Sequence, residues 1–200
     1  WGAEIISDQS GMYAGLFTHM DADADKYGAK ARKQINKDLY GKMGTEDERL
    51  VWWNPKDANN KDGGYQQEKF KFSDIQTWMG DYVWMRIEEM YLIAAEASVR
   101  LNKGDAAKYI NVLRTRAGAG TVSESQVDLN YIFDEYAREL CGECARWYLL
   151  KRNAAFETRL AAYNKRAAEH FKKEFYLRPI PTKYLDAINN PAEFGQNAGY

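Results

Sequence analysis

The chain has little that would staple, anchor or polarise it. Two cysteines in 200 residues cannot build a disulfide framework. No apolar run approaches the roughly 20 residues that a membrane span requires. Charge of one sign is missing too: 28 Lys and Arg face 29 Asp and Glu, for a net charge of −1. A general phosphate-binding surface is not expected on this balance, which leaves room only for a local basic patch, and nucleic acid is not an expected partner. The two histidines, His19 and His170, have no Cys or His at ligand spacing, so no zinc site is expected. What remains is globular, with 45% hydrophobic residues. A chain of this size buries roughly 70% of its unfolded surface and needs neither metal nor disulfide to fold. The excess is aromatic: six Trp, fourteen Tyr and eight Phe. The chain opens Trp1-Gly2-Ala3-Glu4, with no initiator Met, basic n-region or apolar h-region, and so reads as a fragment whose targeting segment lies elsewhere.

Residues 1–80 carry no sustained period. Polar breaks such as Asp57-Ala58-Asn59-Asn60-Lys61-Asp62-Gly63-Gly64 read as surface loop, with short aromatic clusters between them and one short helix over Ala29–Tyr40. From Tyr82 the pattern changes. Val83, Ile87, Met90, Tyr91, Ala94, Ala97 and Leu101 follow helical spacing and predict an apolar stripe facing the core. Asn102-Lys103-Gly104 ends that helix, and Asp105 is placed to cap a second one through Ala117. A third helix is expected from about Gln126 to Ala155 and a fourth over Glu157–Phe175. Pro179-Ile180-Pro181 is extended because each Pro disfavours helix in the residue before it. Thr182 then caps a short last helix. Helix pairs joined by tight Gly-Asp turns, with small residues at Ala95 and Ala107, suggest a tetratricopeptide-like unit. A single pair cannot bury both of its faces, so it reads as part of a larger helical superstructure.

From Asp81 onward the motif order resembles the C-terminal half of the SusD/RagB family of outer-membrane nutrient-binding lipoproteins. Arg86-Ile87-Glu88-Glu89-Met90-Tyr91-Leu92-Ile93-Ala94-Ala95-Glu96-Ala97 is similar to the family's R-x-x-E-x-Y-L-I-x-A-E-A helix. Ile110 to Gly118 resembles N-x-x-R-x-R-A-G, and Glu135 to Arg152 resembles E-R-x-x-E-L-x-x-E-G-x-R-W-x-D-L-x-R. Pro179-Ile180-Pro181 and Gln196-Asn197-Ala198-Gly199-Tyr200 are similar to the P-I-P and Q-N-P-G-Y endings. Upstream, Asp47-Glu48-Arg49 and Lys69-Phe70 are similar to D-x-R and K-F segments. Tyr136, Cys144, Leu149 and Ala198 depart from the expected Arg, Gly, Asp and Pro. The resemblance implies a mainly α fold, with tetratricopeptide-like helical pairs in a SusD-like superhelix and an irregular, loop-rich N-terminal portion. On that division residues 1–80 form the ligand side and 81–200 the helical region, both within one larger domain. It also implies a lipid anchor upstream of Trp1, a surface-exposed place at the outer membrane, and a TonB-dependent transporter as partner.

Several residues invite chemistry. Glu139 and Glu143 sit at i, i+4 like a glycosidase pair, but Arg146 lies three residues from Glu143, and Arg138, Arg114 and Arg116 are expected neighbours, so a structural charge network is predicted. Cys141-Gly142-Glu143-Cys144 looks like a redox motif, yet it falls in mid-helix rather than at the helix N-terminus that would activate a thiol. Two packing residues are expected. Asp21, Asp23 and Asp25 open like a calcium loop, but Lys26 and Arg32 stand where its Gly and Glu belong, so a solvated turn is the reading. Ligand contact is expected instead from Trp52, Trp53, Tyr65 and Trp78, since flat rings stack on the C–H faces of sugars while polar neighbours take the hydroxyls. Trp52 and Trp53, being adjacent, point to opposite sides of an extended segment. Trp84 and Trp147 are expected in the core. The function this predicts is non-catalytic binding of an oligosaccharide, polysaccharide or other nutrient without a cofactor. The alternative is a helical-repeat scaffold for a protein partner, with a helical-toroid glycosidase third.

Overall fold

The breaks at Asn102-Lys103-Gly104 and Gly118-Ala119-Gly120 end two helices where expected, while the irregular half is closed by short strands. The computed structural model describes residues 1–10, 15–24, 27–30, 33–54, 64–188 and 194–200. It is mainly α, about 52% helical. The helices are α1 (Leu16–Met20), α2 (Tyr27–Lys30), α3 (Lys37–Gly41), α4 (Ile87–Arg100), α5 (Ala106–Arg116), α6 (Leu129–Glu139), α7 (Ala145–Arg152), α8 (Phe156–Tyr163), α9 (Lys165–His170) and α10 (Thr182–Asp186). The strands are β1 (Gly2–Ala3), β2 (Gln34–Asn36), β3 (Trp53–Asn54), β4 (Gly64–Gln67) and β5 (Tyr82–Val83). The chain divides into two compact units, Trp1–Arg146 and Trp147–Tyr200. Of the sequence expectations, the loop over 57–63 and the calcium-loop positions Asp25, Lys26 and Arg32 lie outside the described residues.

In the first unit, β2, β4 and β3 form an antiparallel sheet in that order, with Ile35 opposite Tyr65 and Trp53 opposite Gln67. This replaces the helix expected over Ala29–Tyr40: Gln34–Asn36 is strand because a distant segment supplies its hydrogen bonds. Asn36 then caps α3 by accepting from the Asp38 amide at 2.6 Å. A separate two-stranded pair joins β1 to β5.

The α4–α5 pair packs as expected at its small residues, with Ala95, Ala106 and Ala107 all buried. The stripe proposed for α4 is nevertheless the wrong face. Leu92, Ala95, Glu96 and Ser98 are buried, whereas Ile87 and Leu101 are 63% and 65% exposed and Met90 and Ile93 are also exposed. Short side chains let α4 approach α5 and α6 closely, and that contact outweighs the larger residues on the other side. Trp84 is exposed rather than in the core, its ring meeting that of Trp1 edge-on at 5.8 Å.

Asp105 does not cap α5. Its carboxylate takes a short hydrogen bond from the Ser98 hydroxyl, and Glu124 caps instead, accepting from the amides of Ala106 and Ala107 at 3.0 and 2.7 Å. The long third helix is in fact two, α6 and α7, broken at Leu140–Cys144. Gly142 (φ +80°) and Cys144 (φ +63°) both turn left-handed there. A Cβ on Gly142 would lie 2.4 Å from the Phe70 ring. The cysteine pair therefore occupies a turn, not a helix, and Cys144 bears a side chain where that backbone favours glycine.

The expected fourth helix is likewise split, into α8, α9 and a 3-10 turn at Lys173–Tyr176. Within this second unit Phe156 is buried among Trp147, Phe171 and Tyr176, at 4.7, 5.4 and 5.0 Å between ring centres. Trp147 itself is half-buried, with the Arg178 guanidinium 4.9 Å over its ring. The two terminal motifs form one structure. Gln196 accepts from the Ile180 amide at 2.7 Å and donates to the Ile180 carbonyl at 2.9 Å. Asn197 donates to the Arg178 carbonyl at 2.6 Å, and the Tyr200 hydroxyl to that of Leu177 at 3.0 Å. Pro181, not Thr182, is the residue before α10.

Candidate functional site

A buried ion network underlies the irregular face of the first unit. Arg49, 2% exposed, donates to Asp47 at 2.9 and 2.8 Å, to Glu135 at 2.7 Å and to Glu139 at 3.1 Å. Arg138 binds the other oxygen of Glu135 at 3.0 and 2.6 Å. Glu139 also accepts from Arg86 at 3.1 Å and Arg116 at 2.6 Å. Beyond the helix break, Glu143 takes Arg86 at 2.9 and 2.8 Å and a short bond from Lys69. Burial alone would raise the carboxyl pKa values of Asp47, Glu135 and Glu143, but the facing cations outweigh it and hold all three below the ordinary range. Burial also lowers the Lys69 pKa, and there the Glu143 charge recovers only part of the shift.

Glu139 and Glu143 therefore belong to the charge network predicted for them. A glycosidase acid needs a raised pKa so that it can hold its proton at working pH; Glu143 is shifted the opposite way. Arg114, Arg116 and Arg138 take part as expected, Arg114 at 3.9 Å from Glu135. Arg146 donates to the Phe133 carbonyl at 2.8 Å. Sequence spacing on one helix missed Asp47, Arg49, Lys69 and Arg86. Their signal was present, since all four fall in the D-x-R, K-F and R-x-x-E segments.

The four aromatic candidates separate. Trp53 is 3% exposed and forms a core cluster with Ile35 and Met43. It offers no ring face to a ligand, and its buried indole N–H has no partner among the described residues. Trp52 and Tyr65 pack against this cluster half-buried, with the Tyr65 ring edge-on to Tyr40 at 4.3 Å. The Lys69 ammonium lies 4.5 Å over the Trp52 ring. Trp78 belongs to a second aromatic group, 5.4 Å from Phe72, which in turn lies 5.7 Å from Phe17. Its backbone is left-handed at φ +60°, unusual for so bulky a residue. The loop holds it there: Asp74 accepts from the Gln76 amide at 2.8 Å and the Thr77 hydroxyl at 2.7 Å.

Two clefts open nearby. One of about 190 Å³ is lined by Phe17, Lys69, Phe70, Asp81, Arg86 and Glu143 among others, and its interior charges are already paired. The other, about 490 Å³, lies between the 3-10 turn Glu48–Trp52 and the end of α5, lined by Glu48, Arg49, Val51, Trp52, Arg116 and Ala117. The second falls within the roughly 300–1,000 Å³ of small-ligand sites. The Glu48 amide, donating to the Ala117 carbonyl at 2.8 Å, fixes the turn against α5. Among the described residues no cluster of three or more His, Cys, Asp or Glu could hold a metal ion. Asp21, in the calcium-loop reading, is buried and accepts from the amides of Asp23 and Phe72 at 2.9 Å each. No described helix is long and apolar enough to cross a membrane.

The fold is shared with solved proteins. A SusD-like carbohydrate binding protein from Bacteroides vulgatus is 29% identical, with a TM-score of 0.61 over 76% of this chain and 34% of its own. Surface glycan-binding protein A from Bacteroides thetaiotaomicron is 21% identical, with a TM-score of 0.62 over 86% of this chain and 43% of its own. SusD-like protein P2 from Formosa agariphila is 31% identical over 133 residues, 60% of this chain and 26% of that protein. The chain thus spans between about a quarter and two fifths of the length of these relatives. The SusD family model matches residues 26–200, and with the motifs and fold above, this chain belongs to the SusD family.

Proposed function

We propose that this chain binds a glycan without catalysis at the bacterial outer-membrane surface, as part of a lipid-anchored protein that passes its ligand to a TonB-dependent transporter. The observation that carries the reading is Trp52, a half-buried indole at the wall of an open 490 Å³ cleft, within a SusD-family chain. Two similar structures, a SusD-like carbohydrate binding protein and a surface glycan-binding protein, support it. Recognition is by shape, stacking and hydrogen bonds, with no cofactor. Trp78 and Tyr65 are further stacking candidates, whereas Trp53 acts from beneath by holding the strand that carries it. A glycan microarray tests this reading: binding to at least one glycan, lost or weakened in Trp52→Ala and unaccompanied by hydrolysis, is the expected result. Released reducing sugar from any bound glycan would refute it.

A second reading, a scaffold for a protein partner, is favoured by one observation. The exposed apolar side chains of Ile87, Met90, Ile93 and Leu101 on α4 lie at spacings suited to packing a helix. Capture on the microarray decides for the first reading, and its absence for the second.

A further inference from the structure

The cleft beside Trp52 contains an unused group. Glu48 is exposed and lines it, and its carboxylate has no hydrogen-bond or ion-pair partner among the described residues. Every neighbouring charge is committed. Arg49 spends both terminal nitrogens and Nε on Asp47, Glu135 and Glu139. Arg116 gives Nη1 to Glu88 at 2.9 Å and Nη2 to Glu139 at 2.6 Å, which leaves its Nε–H as a donor with its charge already compensated. Val51, 75% exposed, continues the apolar surface of Trp52. One free carboxylate, one neutralised guanidinium and one apolar wall therefore face the same space.

That set has a chemical complement. A carboxylate accepts two hydroxyl protons at once from a vicinal diol, and such charge-assisted bonds are the stronger class. Aliphatic C–H faces of a pyranose fit an indole and a valine. An anionic sugar finds no uncompensated cation here and meets the Glu48 charge instead. Resting on the glycan-binding reading, we propose that this cleft is a subsite for a neutral pyranose, with Glu48 holding a vicinal hydroxyl pair, Trp52 and Val51 the ring face, and Arg116 Nε–H a further oxygen. The subsite selects against uronic and sulfated sugars.

Affinity electrophoresis of the 200-residue chain through gels containing amylopectin, galactomannan, laminarin, alginate or polygalacturonate tests the assignment, beside Glu48→Gln and Trp52→Ala. At least one neutral polysaccharide should retard the wild type, and neither uronate polymer should. Glu48→Gln should weaken retardation about tenfold or more, the scale of a lost hydrogen bond to a charged group, with its circular dichroism unchanged because the side chain is exposed. Trp52→Ala should lose it. Retardation of the wild type that Glu48→Gln leaves intact, or a preference for the uronate polymers, overturns the subsite while glycan binding stands. Retardation by none of these polymers overturns the subsite. Only a blank glycan microarray as well brings down the glycan-binding reading.

Discussion

Replacing Arg49 with Met tests the ion network at its centre. Among the described residues Arg49 is the one guanidinium bonded to Asp47, through 2.9 and 2.8 Å contacts, whereas Glu135 keeps Arg138 and Glu139 keeps Arg86 and Arg116. Arg49→Met therefore strands one buried carboxylate, not three. Removing one partner of a buried pair costs about 3–5 kcal/mol. The amide of residue 49 still donates to Asp47 at 3.0 Å, which places the expectation near 3. For a chain of this length that lowers Tm by roughly 6–12 °C. Replacing both residues, Asp47→Leu with Arg49→Met, should return most of the loss, because no bare charge remains. The pH dependence has a definite sign. In the wild type the Asp47 and Glu135 pKa values are lowered, so their contribution is complete above about pH 4–5 and fades as acid titrates them. In Arg49→Met only the residue 49 amide and the Arg138 charge still oppose burial at Asp47, so its pKa rises relative to wild type and its penalty shrinks as pH falls. Urea unfolding followed by circular dichroism at pH 7 and pH 5 should show the gap between wild type and variant narrowing at the lower pH. A loss under about 1 kcal/mol, or a gap independent of pH, would refute the reasoning.

Four further outcomes are expected. Glu124→Ala should cost about 1–2 kcal/mol in thermal unfolding, since it leaves the first two amides of α5 without their acceptors; an unchanged Tm would remove Glu124 as the cap. Burial pushes the Cys141 thiol up to about 11 while Cys144 is exposed, so iodoacetamide at pH 8 should label Cys144 first. Cys144→Gly should stabilise by about 0.5–1 kcal/mol through relief of its left-handed backbone, and a loss of stability would show that the side chain matters more than the strain. Finally, the apolar face of α4 should drive self-association at high concentration, visible by sedimentation; Ile87→Asp with Ile93→Asp should abolish it without lowering Tm, and identical sedimentation of the two proteins would count against the face.

The order of motifs made the family and the helical half legible, because caps and breaks such as Asn102-Lys103-Gly104 act locally. The errors arose where distant segments decide. Helix α4 carries apolar residues on two faces, and periodicity cannot say which of them meets a neighbour; Ala95 and Ser98 won because small residues allow closer packing. Gln34–Asn36 became a strand because Gly64–Gln67 pairs with it. Gly142 was a visible break in α6–α7, overlooked because the apolar spacing on either side continued in phase. At the site, Trp53 is buried and Trp52 half-buried, but through the change from a 3-10 turn to strand between them rather than an extended segment, and nothing local marked Glu48, which the α5 terminus is brought beside.

The charge network joins chain segments near residues 47–49, 69, 86, 116 and 135–143. Opening a segment that carries Arg49, Arg86 or Arg116 would take a partner from the buried Glu139 carboxylate. Fraying is thereby penalised far beyond the hydrogen bonds it breaks, and the segments should open together, as one exchange unit, in native-state hydrogen exchange. The loops that carry Asp47, Arg49 and Lys69 are tied to that unit, which makes this patch of buried salt the keel beneath the irregular face.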